Sequence, residues 1–170
     1  TALRPRLEMI CTTTPEGAAR KASQFGFARS TADWRQLVAD PKVEAVVIAS
    51  PQETHREIAL LAFASGKHVF CEKPLGLGLA DSHIMLDAAR CSGKVNMTGF
   101  NYIRTPASQL AREIIARGEE IGDITWFRGE HTEDFCADPH QPASWRTRGK
   151  PNGNMGDLAP HILNAALALM

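Results

Sequence analysis

The chain has 170 residues, 44% hydrophobic and 22% charged, the balance of a folded globular protein long enough for one ordinary domain and part of a second. Its 19 basic and 19 acidic side chains cancel, which argues against nucleic acid or another polyanion as partner. No apolar run approaches the ~20 residues of a membrane span, so no membrane partner is expected.

The elements follow in chain order. Residues 7–11 are strand-like. Thr14-Pro15 starts a helix whose face is Ala18, Ala19, Ala22 and Phe25, ended by Gly26. Phe27-Ala28 is read as a short second strand, and Thr31 as the cap of a helix that turns Trp34, Leu37 and Val38 inward. Residues 45–49 form a continuous apolar run, as expected of a parallel strand buried on both faces. A helix over about 54–65 follows, with Thr54 as its cap, then a short strand at Val69-Phe70-Cys71 and a helix over about 79–91. Residues 95–99 are another strand. Strands alternating with helices to this point argue an α/β fold with a Rossmann-type parallel sheet covered by helices on both faces. Beyond it, Thr105-Pro106 starts a helix stopped near Gly118, and residues 124–131 are read as a strand. A long irregular segment, 134–155, is rich in Pro, Gly and Asn. The domain boundary is placed near residue 101, giving 1–101 and 102–170.

Four cysteines, Cys11, Cys71, Cys91 and Cys136, form no C-x-x-C pair. Core thiols in a reducing, cytoplasmic setting are the expectation.

The organising stretch is Lys67-His68-Val69-Phe70-Cys71-Glu72-Lys73-Pro74. A buried strand runs directly into a carboxylate, an ammonium and a ring-locked backbone. Pro74 lacks the N–H that would extend the ladder, so the two charges sit at the strand's carboxyl end, where open α/β sheets bind ligands. Ser50-Pro51 with Thr54-His55 follows the most apolar strand in the same way. Asp157 and His161 are four residues apart and share a face on a helix. A carboxylate beside an imidazole suits a general base, and Pro160 requires that the helix begin near residue 157 or 158. A zinc site from Asp157, His161 and His131 or His140 is the weaker alternative, since no spacing fits one, and no metal is expected. The G-x-G-x-x-G loop of a dinucleotide site is absent. Gly76-Leu77-Gly78 carries Asp81 where the third glycine belongs. The first visible strand reads as the second strand of such a fold, so a strand and glycine-rich turn are expected upstream of Thr1. Thr12 then stands where a carboxylate holding the ribose hydroxyls is expected.

These residues together resemble the Gfo/Idh/MocA oxidoreductases. The resemblance rests on residues 44–51 with Thr54-His55, Gly66-Lys67-His68-Val69 with Glu72-Lys73-Pro74, Thr98-Gly99-Phe100-Asn101-Tyr102, the turn at 118–122 with Ile124, Trp145-Arg146, and Gly156-Asp157-Leu158 with His161. It implies a Rossmann domain, followed by the start of an α/β domain on a mainly antiparallel sheet. It implies NAD or NADP as cofactor and hydride transfer to or from a sugar, polyol or related alcohol, in a homo-oligomer, dimer or tetramer. By position it makes Lys73 the lysine at the reacting oxygen, His161 the acid/base and Asp157 its companion. Ser50, Pro51, His55 and Glu72 would line the cofactor, and Asn101 would lie near the nicotinamide. Trp145 and Arg146 would belong to the substrate side. Gln52 departs from the Asn common in the family, and Ala159-Pro160 from Gly-Ser. The rivals are an NAD-dependent glycosidase of the same fold and a non-catalytic nucleotide- or sugar-binding protein.

Overall fold

The structure, a computed structural model, describes residues 5–134, 137–143 and 154–170. The chain forms two compact units, residues 1–98 and 99–170.

In the first unit, β1 (Met9–Cys11) leads into α1 (Pro15–Phe25). Thr14 caps this helix by accepting a hydrogen bond from the Gly17 amide, with Pro15 in the first turn. The helix stops at Gly26, whose φ of 77° is open to glycine at little cost. Ala18 and Ala22 are buried on it. Phe25, expected on the inner face, is exposed instead, with the Lys21 ammonium over its ring. The second strand, β2, lies at Arg29–Thr31, two residues beyond the expected position, and pairs parallel with β1. Thr31 is therefore a strand residue. The cap of α2 (Trp34–Ala39) is Asp33, whose carboxylate accepts from the Arg35 amide.

The remaining strands form a parallel sheet in the order β3 (Ala45–Ile48), β4 (His68–Cys71), β5 (Asn96–Thr98). Between them run α3 (Gln52–Ala64) and α4 (Leu79–Ser92). Alternate strand residues point to one face. Val46, Ile48, Val69 and Cys71 meet Val38 of α2, Ile58, Ala59, Ala62 and Phe63 of α3, and Met85 and Ala89 of α4. Full burial of each larger aliphatic here contributes roughly 1.5–3 kcal/mol. The opposite face is open, with Val47 69% exposed. The expectation of a strand buried on both faces is corrected, because the described helices that fill this core all meet the other set of strand residues. The β1–β2 pair and the three-stranded sheet are linked through α2, which packs on β1, β2 and α3.

The second unit holds a 3₁₀ turn (Tyr102–Arg104), α5 (Pro106–Arg117), the short α6 (Asn154–Asp157) and α7 (Ala159–Leu169). Thr105 caps α5, accepting from the Ser108 amide, and Gly118 at φ 68° ends it. The strand expected at 124–131 does not form. Among the described residues of this unit there is no strand to pair with it, and an extended segment without a ladder is not a strand. The mainly antiparallel sheet is accordingly not found there, and both observed sheets are parallel. No described helix is long and apolar enough to cross a membrane.

Candidate functional site

The register of the central sheet sets Ile48 beside Cys71 and Cys71 beside Thr98. Three loops therefore leave from one edge, the carboxyl ends of β3, β4 and β5. After β3, the Thr54 hydroxyl donates to the Pro51 carbonyl at 2.7 Å. A hydroxyl carries one proton, so Ser50 Oγ donates to Thr54 Oγ1, 2.5 Å away. Thr54 thus tightens the first turn of α3 without capping it. The cap position is Pro51, which makes no side-chain cap bond. His55, on the same turn, is 2% exposed. Its Nε2 faces the Ser50 carbonyl at 2.9 Å and its Nδ1 the Pro74 carbonyl at 3.0 Å.

After β4, the Glu72 amide donates to the Ile48 carbonyl, so the ladder ends at Glu72. The Lys73 amide donates to the Glu72 carboxylate at 3.3 Å, and the Lys73–Pro74 peptide is cis. Lys73 is half-buried. Gln52, passed over as a site residue in the sequence, reaches this loop: its Nε2 donates to the Gly76 carbonyl at 2.6 Å. Burial, and then the Glu72 charge, push the Cys71 thiol up to about 12, so Cys71 is core rather than nucleophile.

Thr12 follows β1. Its hydroxyl donates to the Thr14 carbonyl at 3.0 Å, and its amide to Thr31. A Cβ built on Gly17 would stand 2.9 Å from Thr14 Oγ1 and 3.1 Å from Thr12 Oγ1. Glycine there lets the first turn of α1 close down on Thr12. The signal was present as a glycine in the first turn of a helix after a strand.

The second unit carries an aromatic and imidazole cluster. The Tyr102 ring stands edge-on to His161 at 4.6 Å and to His131 at 5.3 Å, with the two imidazoles 5.6 Å apart and Phe100 at 6.1 Å from His161. The Glu133 carboxylate faces His131 Nε2 at 3.0 Å. The sequence had set His131 beside His161 only as a possible metal ligand, and Tyr102 was not expected between them. Asp157 is buried and closes α6, whereas His161 lies in the first turn of α7 and its amide donates to the Leu158 carbonyl. The expectation of one helix carrying both is corrected. Pro160 is accommodated in the first turn of a new helix, the place where its missing N–H costs nothing. Asn101 is exposed, and its carbonyl accepts from the Arg104 amide. Among the described residues no three His, Cys, Asp or Glu side chains are grouped to hold a metal. Trp145 and Arg146 lie outside the described residues.

The first unit suits a dinucleotide by the chemistry of its edge. Parallel strands present Thr12, Ser50, Pro51, Glu72 and Lys73 at their carboxyl ends, where doubly wound sheets hold such ligands.

Comparison with known proteins gives two family matches. Residues 2–100 match the oxidoreductase family with an NAD-binding Rossmann fold, and residues 108–170 match the GFO/IDH/MocA C-terminal domain. The levoglucosan dehydrogenase of Pseudarthrobacter phenanthrenivorans is 43% identical over 168 residues, which is 98% of this chain and 43% of that protein. A solved structure of levoglucosan dehydrogenase in complex with NADH and levoglucosan superposes with a TM-score of 0.93 at 42% identity, over 98% of this chain and 45% of that one. An NAD-binding oxidoreductase from Klebsiella pneumoniae gives 0.90 at 42% identity, over 98% and 44%. The chain therefore spans less than half the length of these relatives.

Proposed function

The chain belongs to the GFO/IDH/MocA oxidoreductase family, and from that premise we propose that it is part of an NAD(H)-dependent, cytoplasmic sugar dehydrogenase. Residues 1–101 would hold the dinucleotide and residues 102–170 would begin the substrate domain of a homo-oligomer. The observation that carries this reading is Glu72-Lys73-Pro74 seated at the carboxyl end of the central strand, on a sheet edge suited to a nucleotide.

When bound, the nicotinamide supplies the hydride acceptor. The chain's own residues do the rest. Lys73 hydrogen-bonds the substrate oxygen and stabilises the negative charge that develops there. His161 takes the hydroxyl proton as general base, with Asp157 orienting its imidazole. Glu72, which already receives the Lys73 amide, holds that lip in place. Ser50, Pro51 and Asn101 would line the cofactor. The 43% identity to levoglucosan dehydrogenase makes levoglucosan the first sugar to offer.

The test is NADH production from levoglucosan and a panel of sugars and polyols by the full-length protein. His161→Ala and Lys73→Ala should each lower kcat by roughly 10²–10⁴-fold. Asp157→Asn should cost less, since the base remains. Near wild-type turnover in both alanine variants sinks the mechanism.

A further inference from the structure

His55 is nearly inaccessible, yet it is a hydrogen-bonding side chain with two ring nitrogens to satisfy. Both face backbone carbonyls, Ser50 at 2.9 Å and Pro74 at 3.0 Å. A ring donates to both only when each nitrogen carries a proton, and otherwise the tautomer selects one. The two carbonyls belong to the two loops that carry the site at this edge. Ser50 is the turn after β3. Pro74 is the residue after Lys73. Three residues earlier on the same helix, Gln52 donates to the Gly76 carbonyl at 2.6 Å. Positions three apart lie on one helix face, so a single face of the first turn of α3 donates to the Gly76 carbonyl and sets the His55 ring between one carbonyl of each loop.

We propose that His55 is a positioning residue, a two-point latch that fixes the Lys73 backbone through Pro74 and the Ser50-Pro51 turn through Ser50, its buried ring supporting the site from beneath rather than lining the cofactor as the resemblance implies. The grip matters because the Lys73 ammonium works at hydrogen-bond range, where a misplacement of about 1 Å costs on the order of 10²-fold in rate. The ring itself is buried, so solvent has little access to its nitrogens. The catalytic half of this inference rests on the reading of Lys73 given above, and the structural half does not.

The two contacts are separable. The side-chain amide of Asn places its nitrogen near the Nδ1 position of His, and that of Gln near Nε2. His55→Asn should therefore keep the Pro74 contact and lose Ser50, and His55→Gln should do the reverse. In the full-length protein, kcat with saturating sugar should fall about tenfold or more in His55→Gln and stay within about threefold of wild type in His55→Asn. The dissociation constant for NADH should show the opposite order. Crystal structures of both variants should show the loop after β4 displaced in His55→Gln and the turn after β3 displaced in His55→Asn. Melting temperatures are measured alongside. If both variants lose activity and NADH affinity together, in proportion to lost stability, the latch is overturned and His55 is core. If neither loop moves in the crystals, it is likewise overturned. If the wild-type protein transfers no hydride to any sugar, the dehydrogenase reading fails, and the latch is then decided by the loop positions and the NADH affinities.

Discussion

Thr12 stands after β1 with its hydroxyl turned to the Thr14 carbonyl. A carboxylate at such a strand end accepts two hydrogen bonds from the adenosine ribose and repels a 2′-phosphate. Threonine does neither, so discrimination against NADP should be weak. In the full-length protein, Thr12→Asp should shift the ratio of kcat/KM values toward NAD. If wild type already rejects NADP by about 100-fold, a difference of about 2.7 kcal/mol, Thr12 does not set the preference. Gly17 belongs to the same corner, because a side chain there would press on both threonine hydroxyls. Thr12, Lys73 and His161 stood out in the sequence as strand-end and acid–base signals, and His55 as a candidate at the end of β3. The contacts that His55 and Gln52 make were not legible. Their partners are backbone carbonyls, and those of Pro74 and Gly76 lie 19 and 24 residues away, which no spacing rule reports.

At the scale of elements, Arg29 of β2 holds together pieces that the sequence separates. Its guanidinium pairs with Glu8, just before β1, and with Asp40, at the end of α2. The Lys67 ammonium, leading into β4, donates to the Asp40 carbonyl at 2.8 Å. The Arg29 hydrogen bond, the Lys42 amide and their charges hold the Asp40 carboxyl down at about 2, against partial burial. Burial alone would raise Glu8, but Arg29 and Arg6 outweigh it and keep that carboxyl below its ordinary value. Both groups therefore bind protons more readily unfolded than folded, and stability rises with pH across that range. Their contribution is complete above about pH 5 and is lost as pH falls through the folded values. Asp40→Asn in the full-length protein should flatten the fall of melting temperature between about pH 4 and pH 2. An unchanged acid slope would remove Asp40 from the account. None of this was visible in sequence, since the three charges look like ordinary surface residues. By contrast β3, α3, β4 and α4 were readable, because apolar runs there are punctuated by Ser50-Pro51, Gly66 and Gly93. Residues 124–131 misled for a physical reason: a strand pattern becomes a strand only when a partner is present.

For the whole molecule, the decisive property is how much apolar surface stays open. Val47, Val95 and Met97 are exposed around the central sheet, and Leu163, Leu167 and Met170 along α7. Surface of that kind drives association. The 170-residue chain on its own should therefore self-associate and bind a hydrophobic dye, read by light scattering after size exclusion and by dye fluorescence. A monodisperse, dye-silent monomer would show that these faces are tolerated.

The central sheet has one more consequence, for the order in which the molecule comes apart. β3, α3, β4, α4 and β5 are consecutive in the chain and contribute most of the buried core. Neighbours in sequence that are also neighbours in space close short loops and tend to open as one cooperative block. In native-state hydrogen exchange the amides of Val69, Phe70 and Cys71 should be the slowest, opening only with global unfolding, while α5 and α7, which bury no residue fully, should exchange through local fraying. The loop bearing Lys73 is tied to that slow block, and the turn bearing His161 to the fast one. Exchange rates that fail to separate in this way would mean that the chain melts as a single body.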